Sequence, residues 1–241
     1  MSDDEGGLGL FQEPDGYYEA EKPASYADHQ FADGRRMKGH HLWNAGIVVS
    51  QHIEQHGATL IKGKSVLELG AGAGLPSITA ALNGASLVVV TDYPDAELID
   101  NLDINVLEAK ALDDGINLQA RGLLWGADVS QVKSLLQPVG EVGFDVLVLA
   151  DLLFNHSEHE KLVATVKETL KHSTKARALV FFTPYRPWLL EKDLAFFDLA
   201  RQSGFSVTKT MEHVMDKVMF EEDPGDEMLR RTVFGYELAW A

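Results

Sequence analysis

The chain has 241 residues, 45% of them apolar and 24% charged, with no cysteine and a formal charge of −16 at neutral pH. That length suits one full-sized domain, and the missing cysteine excludes disulfides, thiolate zinc sites and cysteine nucleophiles, including the covalent route to methylating carbon 5 of cytosine. A chain this acidic repels a phosphate backbone and attracts basic partners, so no nucleic-acid partner is expected; the plainer use of the charge is solubility.

Residues 1–34 hold nine acids and one lysine, half of the net charge, among scattered Gly and Pro with no sustained period. They read as a mostly disordered acidic arm ahead of a domain at 35–241. Within the arm, "GLGLFQEP" at 7–14 is an apolar island able to dock on the domain. The opening "MSDDEGG" lacks the basic-then-apolar order of a signal peptide, and no run approaches the roughly 18 uncharged apolar residues of a membrane span. A cytoplasmic protein with no membrane partner is expected. From His41 to His56, Leu42, Ala45, Val48, Val49 and Ile53 recur at helical spacing, which predicts a helix with Trp43 on its apolar side, stopping at Gly57.

Short apolar runs then alternate with helical patterns. Strands are predicted at 65–69, 86–91, 118–124, 144–150, 177–183, 205–210 and 232–238, and helices at 75–83, 94–109, 130–136, 157–171 and 187–203. This alternation implies an α/β fold with a mostly parallel sheet covered on both faces. "LVVVT" and "FDVLVLA" are apolar without alternation, as fully buried central strands are. The last two strands have no crossover helix between them, so they pair antiparallel if they pair at all.

Strand 65–69 runs into "GAGAG" and then a helix, so Gly70, Gly72 and Gly74 make a turn that lets a ligand approach the backbone. The third glycine comes one residue too early for a dinucleotide fingerprint. Glu68 precedes the turn and Asp92 ends the next strand; an acid there can accept both ribose hydroxyls. Glu68 is awkward beside a pyrophosphate and comfortable beside an ammonium or sulfonium. S-adenosylmethionine combines an adenosine, a cationic sulfur and an amino-acid head without phosphate. The bland alternative is a pair of solvated strand-end acids.

"VLELGAGAGLPSI", "VVVTDYPD", "LLWG" and "VLADLLFNHSEH" together resemble the family-16 lysine methyltransferases of the seven-stranded S-adenosylmethionine-dependent superfamily. The likeness extends to "GLGLFQEP", "HHLWNAG", "RPWLLEKDLAFFD" and "MFEED", and so spans nearly the whole chain. It implies a Rossmann-like seven-stranded sheet with helices on both faces and an antiparallel C-terminal hairpin. It also implies that Gly70, Ala71 and Gly72 line the methionine part of the cofactor, that Asp92 holds its ribose, that Trp43 and Trp125 contact it, and that Ala150 ends the fourth strand beside it. The acceptor implied is the basic N-terminal segment of translation elongation factor 1-alpha, methylated at its terminal amine and an adjacent lysine by a monomeric enzyme. The competing readings are a small-molecule methyltransferase, for example for nicotinamide, and a non-catalytic module that holds the cofactor and a basic partner.

Asp151, next after the fourth strand, is the candidate to accept hydrogen bonds from the incoming amine and orient it; alternatively it caps the helix near Ser157 or only ends a strand. The family pattern here is Asp-x-x-Tyr, and this chain has Phe154, which leaves an aromatic wall without a hydroxyl. His156 and His159 are too few for a zinc site and read as helix surface or substrate rim, so no metal is expected. Tyr185 in "TPYRPW" lines a channel or stiffens a turn. The loop "EEDPGDE" either draws a lysine-rich peptide or is solvated.

Overall fold

The structure is a computed structural model and describes residues 27–30, 36–39, 42–136 and 142–241. The apolar island at 7–14 and the histidine pair at 40 and 41 lie outside the described residues. Strands β1 (Ala27–Gln30) and β2 (Arg36–Gly39) form a small antiparallel ribbon that straddles position 34. The body alternates as predicted as far as β8: α1 (Asn44–Leu60), β3 (Ser65–Leu69), α2 (Leu75–Leu82), β4 (Leu87–Asp92), α3 (Ala96–Leu112), β5 (Leu118–Gly122), α4 (Ser130–Lys133), β6 (Val146–Ala150), α5 (His159–Thr169), β7 (Arg177–Phe182), α6 (Leu190–Gln202) and β8 (Phe205–Val214). A single helical turn absent from the predicted elements, α7 (Glu227–Arg230), then precedes β9 (Thr232–Trp240) and is too short to cross the sheet. Short 3-10 turns at His156–Glu158 and Pro187–Leu189 lead into α5 and α6.

Seven strands form one sheet in the order β5-β4-β3-β6-β7-β9-β8. β3 to β7 run parallel, β9 lies antiparallel to β7, and β8 antiparallel to β9. The predicted C-terminal hairpin is therefore present, with its later strand inserted next to β7. The chain winds outward from β3 through β4 to β5, then returns to β6 on the other side of β3. That reversal opens a crevice at the carboxyl ends of β3 and β6, where ligands bind in open α/β sheets.

The central strands lack apolar-polar alternation because both faces are covered. Val66, Val88, Val146 and Val148 pack with Ala45, Val49 and Ile53 of α1 and with α2 and α3, while Leu67, Leu69, Leu147 and Leu149 pack with α5 and α6. The period of two survives as a division between the two helix layers. α1 does not stop at Gly57. A Cβ on that residue would lie 2.6 Å from Asn83 Oδ1, so the glycine permits close packing at the end of α2 and the helix continues to Leu60. The segment read as a helix over 130–136 is helical only for Ser130–Lys133.

Leu147 is fully buried on β6, paired with Leu67 and Ala178 on the flanking strands. Leu147→Ala is expected to destabilise the fold by about 2–5 kcal/mol through lost burial and the cavity it leaves, measured as a drop in the urea midpoint at unchanged slope.

Candidate active site

Gly70, Gly72 and Gly74 take φ values of 60°, 55° and 74°, which side-chain-bearing residues rarely adopt. Space adds a second constraint at Gly70, where a Cβ would lie 2.6 Å from Leu152 Cδ2 and 3.1 Å from Trp125 Cζ2. At Gly72 a Cβ would meet nothing within 4 Å, and the residue forms part of a cleft wall.

Gly74 stands at the N-cap of α2 and has no side chain to cap it. Glu68 supplies the missing acceptor from the end of β3: its Oε2 takes the Ser77 N–H at 2.9 Å, and a carboxylate is favoured at a helix N-terminus. It is 1% exposed, and burial pushes its carboxyl up to about 8, with Asp92 adding to the rise and the Ser77 bonding opposing it. Glu68 is thus a cap as well as a cleft-wall acid. Asp92 closes the turn onto β4, its Oδ2 accepting from Gly72 N and its Oδ1 from Tyr93 N, each at 2.7 Å. Burial raises its carboxyl against those two bonds. Each of its oxygens retains a further lone-pair site.

Asp151 is the one non-glycine residue with positive φ (56°) among the described residues. It does not cap the helical turn that follows it, which has no side-chain cap. It reaches α1 instead, 106 residues away in sequence: Oδ2 accepts from Ala45 N at 2.9 Å and from the Tyr185 hydroxyl at 3.3 Å, and Oδ1 accepts from Thr183 N at 2.6 Å. The Tyr185 hydroxyl in turn accepts from Asn44 N at 3.2 Å. The first two amides of α1, whose N-cap Trp43 offers no cap of its own, are satisfied by residues following β6 and β7. Burial pushes the Asp151 carboxyl up to about 7 even though these bonds favour its charged form.

All eight residues expected at the site, Trp43, Gly70, Ala71, Gly72, Asp92, Trp125, Ala150 and Asp151, line one cleft of about 1030 Å³, its open mouth included. Trp43 differs from its predicted setting. It stands just before α1, is 39% exposed, and meets Tyr185 and Phe220 edge-on at 5.3 and 5.9 Å. Sequence reasoning missed Phe220 and the reach of Tyr185 to Asp151; the only trace of the former is an apolar "MF" inside an acidic loop. The histidines are placed differently too. His159 is buried with Nε2 2.8 Å from the Leu153 carbonyl, and His156 Nε2 lies 2.7 Å from Asp193 Oδ1. Among the described residues no group of three or more His, Asp or Glu side chains is set to hold a metal.

Three carboxyls raised by burial on one cleft wall suit a cation and oppose a pyrophosphate. S-adenosylmethionine fits them: Asp92 would take its ribose hydroxyls, Glu68 and the glycine turn would face its cationic methionine end, and Trp125 would offer an aromatic face. Cation binding favours the ionised carboxyls and expels protons, so cofactor affinity is expected to rise from about pH 6 to 8, by at most roughly tenfold per pH unit for each proton released. Calorimetric titration across that range checks this, and Glu68→Gln is expected to flatten the profile. Without cofactor the sign reverses. A Glu68 carboxyl raised from 4.5 to about 8 contributes stability that is full below the lower value and is lost as pH rises through the upper one.

Residues 30–203 match the model of a lysine methyltransferase family. Among curated proteins, the protein N-terminal and lysine N-methyltransferase efm7 of Emericella nidulans is 47% identical over 100% of this chain and 98% of the relative. Its counterpart in Schizosaccharomyces pombe is 40% identical over 96% of this chain and 95% of the relative. Among solved structures, P. horikoshii TYW2 in complex with MeSAdo superposes with a TM-score of 0.57 at 16% identity, covering 92% of this chain and 74% of that one, which supports the shared fold. With a family match over most of its length and relatives that align end to end, the chain belongs to the lysine methyltransferase family, whose methyl donor is S-adenosylmethionine.

Proposed function

We propose that this protein methylates the N-terminal amine, and an adjacent lysine, of translation elongation factor 1-alpha, working as a monomer in the cytoplasm. The protein-methylating part of this reading rests on the names of the full-length relatives, and the acceptor on the resemblance of the "GLGLFQEP", "HHLWNAG" and "RPWLLEKD" segments. No described helix is long and apolar enough to cross a membrane.

The observation that carries the chemistry is Asp151, buried at the cleft wall between the glycine turn and the aromatic mouth. When bound, the cofactor supplies an electrophilic methyl group on a sulfonium. The chain must deliver a neutral amine to it, aim that amine and keep water away. The Asp151 carboxylate accepts from Ala45 N, Thr183 N and the Tyr185 hydroxyl, and these bonds fix its direction in the cleft wall, where an incoming amine N–H would meet it. With the carboxyl near 7, taking a proton from an α-ammonium costs about 1 kcal/mol, against about 4–5 kcal/mol from an ordinary lysine. The terminal amine is therefore the easier acceptor, and the lysine depends more on positioning. Trp43 and Phe154 line the open side of the cleft, 39% and 42% exposed, which admits a chain terminus and gives a small aromatic ring no closed pocket.

Incubation with labelled S-adenosylmethionine and the elongation factor is expected to label its N-terminal peptide, read by mass spectrometry; absence of label beside an active control refutes the assignment. Asp151→Asn is expected to lower turnover by about 10²-fold or more, measured at saturating cofactor. It should also lower the melting temperature, because the new NH2 confronts the Ala45 N–H or leaves Thr183 N unpaired.

A further inference from the structure

We infer that the outer rim of the cleft is a docking surface for a lysine-rich, extended segment of the acceptor protein, held over exposed aromatic rings beside an acidic loop. The inference rests on the proposal that the acceptor is a protein terminus, and adds what part of it is read and by which residues.

The rim can be followed through its contacts. Phe220 lies 5.9 Å from Trp43 and 6.1 Å from Tyr185, ring to ring. Five residues on, a Cβ at Gly225 would lie 3.2 Å from Pro187 Cδ and 3.3 Å from Trp188 Cζ3. Arg186, next to Pro187, donates from Nη2 to the Phe154 carbonyl at 2.8 Å, and Phe154 lines the cleft. The segment 220–225 thus bridges from the Trp43 edge of the mouth to Trp188, and the path returns to the cleft through Phe154. Trp43, Phe154 and Trp188 are 39%, 42% and 58% exposed, and large apolar side chains gathered at a cleft mouth mark a binding surface.

Charge selects the occupant. Residues 216–227 carry six acids against Lys217 alone. The arginines that hold this segment serve carbonyls: Arg230 Nη1 donates to Phe220 O at 2.8 Å and Arg231 Nη1 to Asp216 O at 3.2 Å. Glu221 and Glu222 are exposed and Asp223 is half-buried, and no cation pairs with them among the described residues. Arg186, on the Phe154 side of the rim, faces the Asp193 carboxyl, which it holds down against burial. Acids left open beside exposed indole and phenyl faces favour lysine and arginine, which gain charge attraction and ring contact together. An acidic or neutral terminus gains neither, and the −16 net charge repels the former.

The test uses the full chain with S-adenosylhomocysteine bound and two fluorescent peptides of equal length with free N-terminal amines, one carrying four lysines and the other glutamine in their place. Anisotropy is expected to show the lysine peptide binding about tenfold more tightly at low salt, with the advantage shrinking towards 0.5 M salt. The triple variant Glu221→Gln, Glu222→Gln, Asp223→Asn is expected to erase that advantage while cofactor affinity stays unchanged, and Trp188→Ala to weaken the lysine peptide. Equal binding of the two peptides by the unmodified protein, or undiminished preference in the triple variant, overturns the docking inference. In a parallel assay with S-adenosylmethionine in place of S-adenosylhomocysteine, salt-sensitive preference without methylation of either peptide leaves docking standing and counts against the proposed function; equal methylation of both peptides without preference does the reverse.

Discussion

The site depends on the Asp151 carboxylate and the amides it gathers. One side chain at positive φ joins the start of α1 to Thr183 and Tyr185 beyond β7. Trp43 directly precedes α1 and stands in the cleft wall, so its position follows from that junction. A residue held in a sparsely populated backbone region needs surroundings that over-determine it, and such strain collects at functional sites. Here the three accepted hydrogen bonds supply that determination. The same three bonds favour the charged carboxylate, while burial favours the neutral one, and the balance leaves the group near 7.

Glu68 does for α2 what Asp151 does for α1. Each acid follows or ends a central strand, and each accepts from the N-terminal amides of a helix that frames the cleft. Neither helix carries a capping side chain at its own N-cap. Capping from the strands places carboxyl groups, ready to ionise against a cation, along the cleft without leaving buried amides unpaired. A cofactor that brings positive charge then meets carboxyls already fixed in direction, so little reorganisation is needed on binding.

Much of this fold is legible in the sequence because both layers leave periodic traces. All seven strands of the main sheet fall where the apolar runs are, and "LVVVT" is buried on both faces as β4. Helix ends are less legible. Gly57 carries the usual stop signal, yet its missing side chain serves packing against Asn83 and the helix runs on. The glycine turn, Glu68 and Asp92 are readable because they are neighbours in sequence or end adjacent strands. The Asp151–Ala45 and Asp151–Tyr185 bonds are not, since they join residues 106 and 34 positions apart that share no local pattern. His159, expected on a helix surface or the substrate rim, is buried instead, because its partner, the Leu153 carbonyl, is set by how the loop after β6 packs, whereas His156 is half-exposed beside Asp193.

The phenol that touches Asp151 comes from Tyr185, 34 positions on, and not from position 154, where a phenylalanine lines the cleft. Burial and the neighbouring Asp151 raise that phenol well above its ordinary value. It therefore stays protonated throughout the physiological range and can donate but not act as a base. Phe154 is left free of any proton-transfer duty and available as an apolar wall at the mouth. With the Tyr185 phenol held protonated, the proton of an incoming ammonium has two exits, the Asp151 carboxylate or solvent before entry. An α-amine near 7.7–8.0 can use either at little cost, whereas a lysine near 10.4 is disfavoured by both, so a lysine acceptor asks more of the site than a chain terminus does.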